Sequence, residues 1–249
     1  MTELRQHEDT LDSEMLALHE AYQKLQVIIR QWQRERGDYW VQAIVPNKSL
    51  PYFLPENLPV EVVLEVMGRL LEGKGHHESA HDLRSLWNRF LFDQNLEDVE
   101  LLSLFNLALN GILEFTRKHL PSDQRQAVEN EEAHLCPICG QEPGLALLTP
   151  PNGKRYLHCT RCGHDWPSKR IGCIHCGSEE ATEQTYLKNE NYPGIEIIVC
   201  QACGGYIKEL DLRIRTVEDF VWEDICTLPL NYSAEKWQNE QALKKGAMN

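Results

Sequence analysis

Four Cys-x-x-Cys-Gly pairs, CPICG, CTRCG, CIHCG and CQACG, fall between residues 136 and 204 and hold eight of the nine cysteines. Eight thiolates complete two tetrahedral metal sites with none left over. A metal bound by four sulfurs needs no further ligand and keeps no open position for a substrate. The chain must therefore fold back on itself until the pairs meet two by two, and that requirement shapes everything between them.

The spacers predict how they meet. The 19 residues between Cys139 and Cys159, GQEPGLALLTPPNGKRYLH, read as strand, Asn152-Gly153 turn and strand. The 23 residues between Cys176 and Cys200 place TYLKN and GIEIIV around ENYPG in the same way. Only 10 residues separate Cys162 from Cys173, enough for one strand leading into the next unit. The pattern is knuckle, hairpin, knuckle, strand, repeated twice. A hairpin returns the second knuckle beside the first, so one ion is expected at Cys136, Cys139, Cys159 and Cys162, and another at Cys173, Cys176, Cys200 and Cys203. The crossed pairing, first with fourth and second with third, is the alternative. Gly140, Gly163, Gly177 and Gly204 close the four pairs, as a tight turn needing positive φ would require. Iron and zinc both suit four sulfurs in a tetrahedron, and the spacing does not choose between them.

Other chemistry finds little support. A redox CxxC of the thioredoxin type opens a helix beside a βαβ unit, and none of these pairs does. Cys226 reads as a small apolar residue of an amphipathic helix, TVEDFVWEDICTL. His158 and His175 lie beside complete sulfur sets and read as knuckle-surface residues. His77 and His81 stand i, i+4 without a third ligand and read as solvated helix residues. No Ser/His/Asp set, phosphate loop or dinucleotide fingerprint is present, and no enzyme is expected.

The remainder of the chain is acidic and helical in pattern. The formal net charge is −13, and residues 1–135 contribute −10 of it, from 13 basic and 23 acidic residues. Neither half offers the basic face that a nucleic acid needs, so no nucleic-acid partner is expected. The acidic, polar start is unlike a secretory signal, no apolar run reads as approaching the length of a membrane-spanning helix, and no membrane insertion is expected. A cytoplasmic location follows, where thiols stay reduced. Leu11, Met15, Leu18, Tyr22, Leu25, Ile29 and Trp32 form an alternating stripe that RERGDYW is expected to end. Three more helices are expected from Pro59 with Asn57 as cap, from about Glu78 to Phe92, and from about Glu97 to Leu120. The fourth is apolar around much of its girth, which places it at the centre of a bundle. Residues 121–134 read as a linker or a short polar helix.

The fold class is thus α+β: an all-α bundle over 1–133, two tandem rubredoxin-like or zinc-ribbon modules over 134–171 and 172–214, and a helical tail over 215–249. From Cys136 onward the chain resembles the formate dehydrogenase accessory protein FdhE family. The resemblance rests on CPICG, GKRYLHCTRCGHDW, KRIGCIHCG and IIVCQACGGYIKELD, followed by the acidic helix. It implies a cytoplasmic maturation factor, monomer or homodimer, that binds the catalytic subunit of a formate dehydrogenase. It also implies two metal ions, iron or zinc, on the eight cysteines above. Trp166, His164, Tyr206 and Lys208 stand as exposed client-contact candidates, unless they serve packing. Two other classes compete: an iron electron-transfer protein, and a zinc-ribbon nucleic-acid binder.

Overall fold

Helix α1, Thr2–Ala43, does not stop where RERGDYW was expected to end it. Gly37 explains why. Its face lies against the Phe115 ring, where a Cβ would come within 2.7 Å, so the glycine marks a close helix crossing inside α1. Trp32 and Trp40, on either side of it, are both buried. The computed structural model describes residues 2–76, 79–92, 98–129 and 132–246. His77 of the His77–His81 pair, the helix starts expected at Glu78 and Glu97, and the side chain of Leu11 lie outside the described residues, while His81 is exposed on α3.

The chain divides into two compact units, residues 1–48 with 53–119, and residues 49–52 with 120–249. In the first, α1 packs on α2 (Val60–Gly73) and α4 (Val99–Lys118), and α3 (Ala80–Leu91) packs on α2 and α4. Asn57 is no cap; it ends a short 3-10 turn, and Pro59 holds the N-cap position of α2 without a side-chain bond. Ser79 and Asp98 cap α3 and α4 through their side-chain oxygens. As its sequence implies, α4 is the central helix, with Phe105, Ala108, Leu109, Ile112 and Leu113 fully buried. By length and hydropathy alone it is also long and apolar enough to cross a membrane, contrary to the sequence expectation, although half of that window is buried in the bundle. Of the α1 stripe, Tyr22, Ile29 and Trp32 are buried and Leu25 is half-buried, whereas Leu18 is exposed.

One carboxylate organises the α1–α2 contact. Glu65 accepts from the indole Nε1 of Trp32 (3.1 Å) and of Trp40 (3.1 Å) and from Arg36 Nε (2.8 Å). These donors are spaced four residues apart on one stripe of α1. Glu65→Ala would leave two buried indoles without an acceptor, and a loss of about 2 kcal/mol in urea unfolding is expected. A change below about 0.5 kcal/mol would refute the role.

The second unit begins with α5 (Ser122–Val128) and then forms strands β1 (Leu145–Thr149), β2 (Lys154–His158), β3 (Asp165–Pro167), β4 (Gln184–Lys188), β5 (Ile195–Cys200) and β6 (Tyr206–Asp211). Helices α6 (Phe220–Cys226) and α7 (Leu228–Gly246) close the chain. The expected order of bundle, two repeated modules and C-terminal helix is borne out. The two modules share one six-stranded sheet, in the order β3-β2-β1-β6-β5-β4. Each repeat is a three-stranded antiparallel meander, and β1 joins β6 in parallel with Ala146 opposite Glu209. The second meander therefore continues the first as if translated along the sheet.

Alternation gives this sheet two unlike faces. One carries Leu145, Leu147, Ile195, Ile197, Val199 and Leu210, covered by Leu230 and Ala234 of α7. The other carries Trp166, Leu157, Arg155, Ala146 and Glu209, all buried. Residues 49–52 join this unit, with the Tyr52 amide donating to the Pro137 carbonyl at 3.3 Å.

Candidate metal centres

Each knuckle is built by the same three devices. The glycine amide donates to the carbonyl of the first cysteine: Gly140 to Cys136 (2.8 Å), Gly163 to Cys159 (2.8 Å), Gly177 to Cys173 (3.0 Å) and Gly204 to Cys200 (2.8 Å). The first cysteine's amide donates back across the turn, to the carbonyls of Gln141, His164, Ser178 and Gly205 at 2.8–2.9 Å. All four glycines hold φ between 70° and 77°, where a Cβ crowds the carbonyl. Around Gly204 a new Cβ would meet nothing within 4 Å, so Gly204→Ala isolates the backbone term. It is expected to cost about 1–2 kcal/mol in thermal or urea unfolding, and a neutral result would count against the turn argument.

The hairpins bring the knuckles together in adjacent pairs. Cys136, Cys139, Cys159 and Cys162 form one group, and Cys173, Cys176, Cys200 and Cys203 form the other, with the sulfurs of each group within 4.8 Å of one another. This is the adjacent arrangement; the crossed one is absent among the described residues. Sulfur separations are 3.5 Å for Cys136–Cys162 and Cys139–Cys159, 3.6 Å for Cys173–Cys203 and 3.8 Å for Cys176–Cys200. A tetrahedron with metal–sulfur bonds of about 2.3 Å has edges of about 3.8 Å, so both groups fit a zinc- or iron-sized ion. All nine cysteines are free thiols.

Electrostatics in the two groups follow one plan. In the first, burial pushes the Cys136 and Cys162 thiols up, while hydrogen bonds from Cys136, Cys139 and Cys162 hold Cys159 well below the usual thiol range. In the second, burial pushes Cys173 up to about 12 and raises Cys203. At Cys200 burial is outweighed by the amides of Cys203 and Ala202, and its thiol is lowered. Each group thus favours a thiolate on the first cysteine of its second knuckle. A divalent ion would displace the remaining protons, so its affinity falls in acid.

The groups differ in exposure. All four sulfur-bearing residues of the first are buried, whereas Cys176 and Cys203 of the second are exposed. The amides of His175 (3.4 Å to Cys173 Sγ) and Gly205 (3.3 Å to Cys203 Sγ) turn toward sulfur in the second group.

Several expectations about neighbouring residues need correction. Trp166 is fully buried and donates its indole N–H to the Ala133 carbonyl at 2.8 Å, with His164 stacked beside it. Lys208 is also buried; its Nζ donates to the Asp224 carboxylate (2.7 Å) and to Thr227 Oγ1 (2.7 Å), tying β6 to α6. These residues pack the fold and offer no exposed contact. His158 is likewise buried, against the Phe220 ring and with Nδ1 2.6 Å from Asp165 Oδ1. His175 is the exposed knuckle residue its position implied. The buried pair Arg155–Glu209, 2.9 Å apart, went unseen in the sequence. Its signal was weak: both positions fall on the inward phase of an alternating strand, where charge alone does not reveal a partner.

A helical unit followed by a duplicated knuckle sheet, with two closed four-cysteine groups, defines the class: a two-unit protein with metal-capable zinc-ribbon folds. Residues 135–170 match the model of the FdhE central domain. The resemblance to the FdhE family is therefore borne out, carried by the match over these residues. It is similar to the FdhE homologue of Stutzerimonas stutzeri, 29% identical over 82% of this chain and 63% of that one. It is also similar to the FdhE homologue of Aquifex aeolicus, 30% identical over 63% of this chain and 59% of that one. The chain thus spans less than two thirds of the length of these relatives. Its fold is that of the FdhE protein crystal structure from Pseudomonas aeruginosa, with a TM-score of 0.61, 22% identity, and coverage of 87% and 90% of the two chains.

Proposed function

We propose that Cys136, Cys139, Cys159 and Cys162 hold one metal ion, that Cys173, Cys176, Cys200 and Cys203 hold a second, and that the protein acts without catalysis as a maturation factor for a formate dehydrogenase. The observation that carries the metal reading is the pair of four-sulfur groups with tetrahedral edge lengths. Four sulfurs complete the coordination shell, so neither ion would keep a position for substrate. The client reading is supported by the match of residues 135–170 to the FdhE central domain and by what the family resemblance implies: binding to the catalytic subunit of a formate dehydrogenase. Nine free thiols suit a reducing compartment, and a cytoplasmic location is part of the proposal.

Capture from cells that make a formate dehydrogenase tests the client. Tagged protein should retain the catalytic subunit through washing, and repeated failure to retain it would remove this reading. Metal analysis of protein purified without oxygen tests the sites, with two equivalents expected. Iron would add one-electron chemistry where zinc has none. Exposure of Cys176 and Cys203 gives an electron-transfer reading its one structural support, and stoichiometric zinc without iron would remove it.

A further inference from the structure

We propose that the second cysteine group is a metal-dependent latch, which keeps α7 seated on the apolar face of the sheet only while an ion draws its four sulfurs together. This rests on the reading of the groups as metal sites. Among the described residues, α7 meets the fourth knuckle directly. The Gln238 side-chain amide donates to the Gly204 carbonyl, and the Tyr206 hydroxyl, at the start of β6, lies 3.5 Å from Glu235 Oε1. Gly204 lies inside the turn that presents Cys200 and Cys203, so the direction of its carbonyl depends on where those sulfurs are held. The Gly205 amide, bonded to Cys203 Sγ at 3.3 Å, ties the same turn to a fixed sulfur. His175, from the opposite knuckle, packs so closely that a Cβ on Gly205 would come within 2.4 Å of its ring. His175 also lies with Nε2 3.0 Å from the Tyr206 carbonyl. The ion, the two knuckles and the α7 contacts are therefore mechanically continuous.

Among the described residues, the rest of the hold on α7 is its packing against the sheet and α6. Its polar and apolar residues are mixed around the axis, and Leu230, Ala234 and Trp237 supply its packing on the sheet. Most of a helix's stability in a protein comes from tertiary packing of its apolar face rather than from propensity. Removing the knuckle contacts should therefore loosen the helix and uncover the face that carries Leu145, Ile197 and Leu210. The group best placed to give up an ion is this one, because Cys176 and Cys203 are exposed while all four cysteines of the first group are buried.

Protein loaded with two equivalents of zinc would be stripped with rising EDTA. At each step, released zinc, cysteine alkylation and amide exchange would be followed by mass spectrometry. The first equivalent is expected to leave as Cys176 and Cys203 become alkylated. Exchange at residues 228–241 should then rise at least about tenfold while β1 and β2 stay protected. Loss of that equivalent without faster exchange in α7, or loss of both equivalents in one global step, would overturn the latch. A protein that takes up no zinc would instead overturn the metal reading, and the latch with it. A second arm cuts the contacts but spares the ligands. The double variant Gln238→Ala, Tyr206→Phe should keep both zinc equivalents yet show the same faster exchange in α7. Unchanged exchange in that variant would also overturn the link.

Discussion

Cys159→Ala is expected to remove one metal equivalent and unfold the sheet of the second unit. The thiol is fully buried, touches the three other sulfurs of its group, and is the member most strongly held as thiolate. Structural zinc sites supply about 10–16 kcal/mol of apparent binding energy in small domains, as much as the whole stability of a typical domain. Partial binding by three sulfurs would recover some of this, but the ion would lack the fourth ligand that closes a structural site. Cys159 directly follows β2, whose Leu157 pairs with Ala146 of β1 and Trp166 of β3, so the loss should spread through β1–β3. Metal analysis together with limited proteolysis checks the outcome. Cleavage should appear within residues 134–214 while α1–α4 persist as a protected fragment. Two equivalents of metal and an uncut sheet would show that the first group is not a structural ion site. The corresponding change at exposed Cys203 should cost one equivalent of metal while leaving the first module folded.

Breaking the buried ion pair at the junction of the two modules should cost about 3–5 kcal/mol, the usual penalty for a buried charge left without its partner. Arg155 reaches from β2 to Glu209 on β6, across β1, and its Nη1 also donates to the Lys169 (3.1 Å) and Gly172 (3.4 Å) carbonyls of the segment linking the modules. The side chains retain only 1% and 7% of their exposure. Burial raises the Glu209 carboxyl even though Arg155 and Arg170 work against that rise. Desolvation therefore outweighs the attraction, and the pair adds specificity of docking more than net stability. Two outcomes follow for a double-mutant cycle read by urea unfolding. Arg155→Met alone should destabilise by the amount above, and Arg155→Met with Glu209→Leu should recover at least about half of it. A strictly additive double variant would show that the two side chains do not act as a pair.

The metal groups were legible in the sequence to an unusual degree because the spacing of the cysteines is itself a geometric constraint. Hairpin-length spacers force adjacent knuckles together, and a glycine after each pair marks a positive φ that few other residues adopt. The helices were legible in their existence and less so at their ends. RERGDYW read as a break because sequence shows the missing Cβ of Gly37 but not the Phe115 ring that occupies its place. Trp166 and Lys208 read as surface candidates for a related reason. An indole N–H and an ammonium look solvent-seeking until their partners, the Ala133 carbonyl and Asp224 with Thr227, are placed beside them from 33 and from 16 to 19 residues away.

From the chain alone come the two groups of four thiols, their adjacent pairing, the duplicated module and the FdhE resemblance. All of these are local: they depend on tight turns and on spacers of 19 and 23 residues between paired knuckles. What tertiary structure decided is how the modules join and how unequal their sites are. The parallel β1–β6 pairing, the Arg155–Glu209 contact across it, and the burial of one cysteine group beside the exposure of the other depend on which surfaces meet after the local pieces form. No spacing encodes that, because solvent access is a property of the assembled neighbours and not of the ligands themselves.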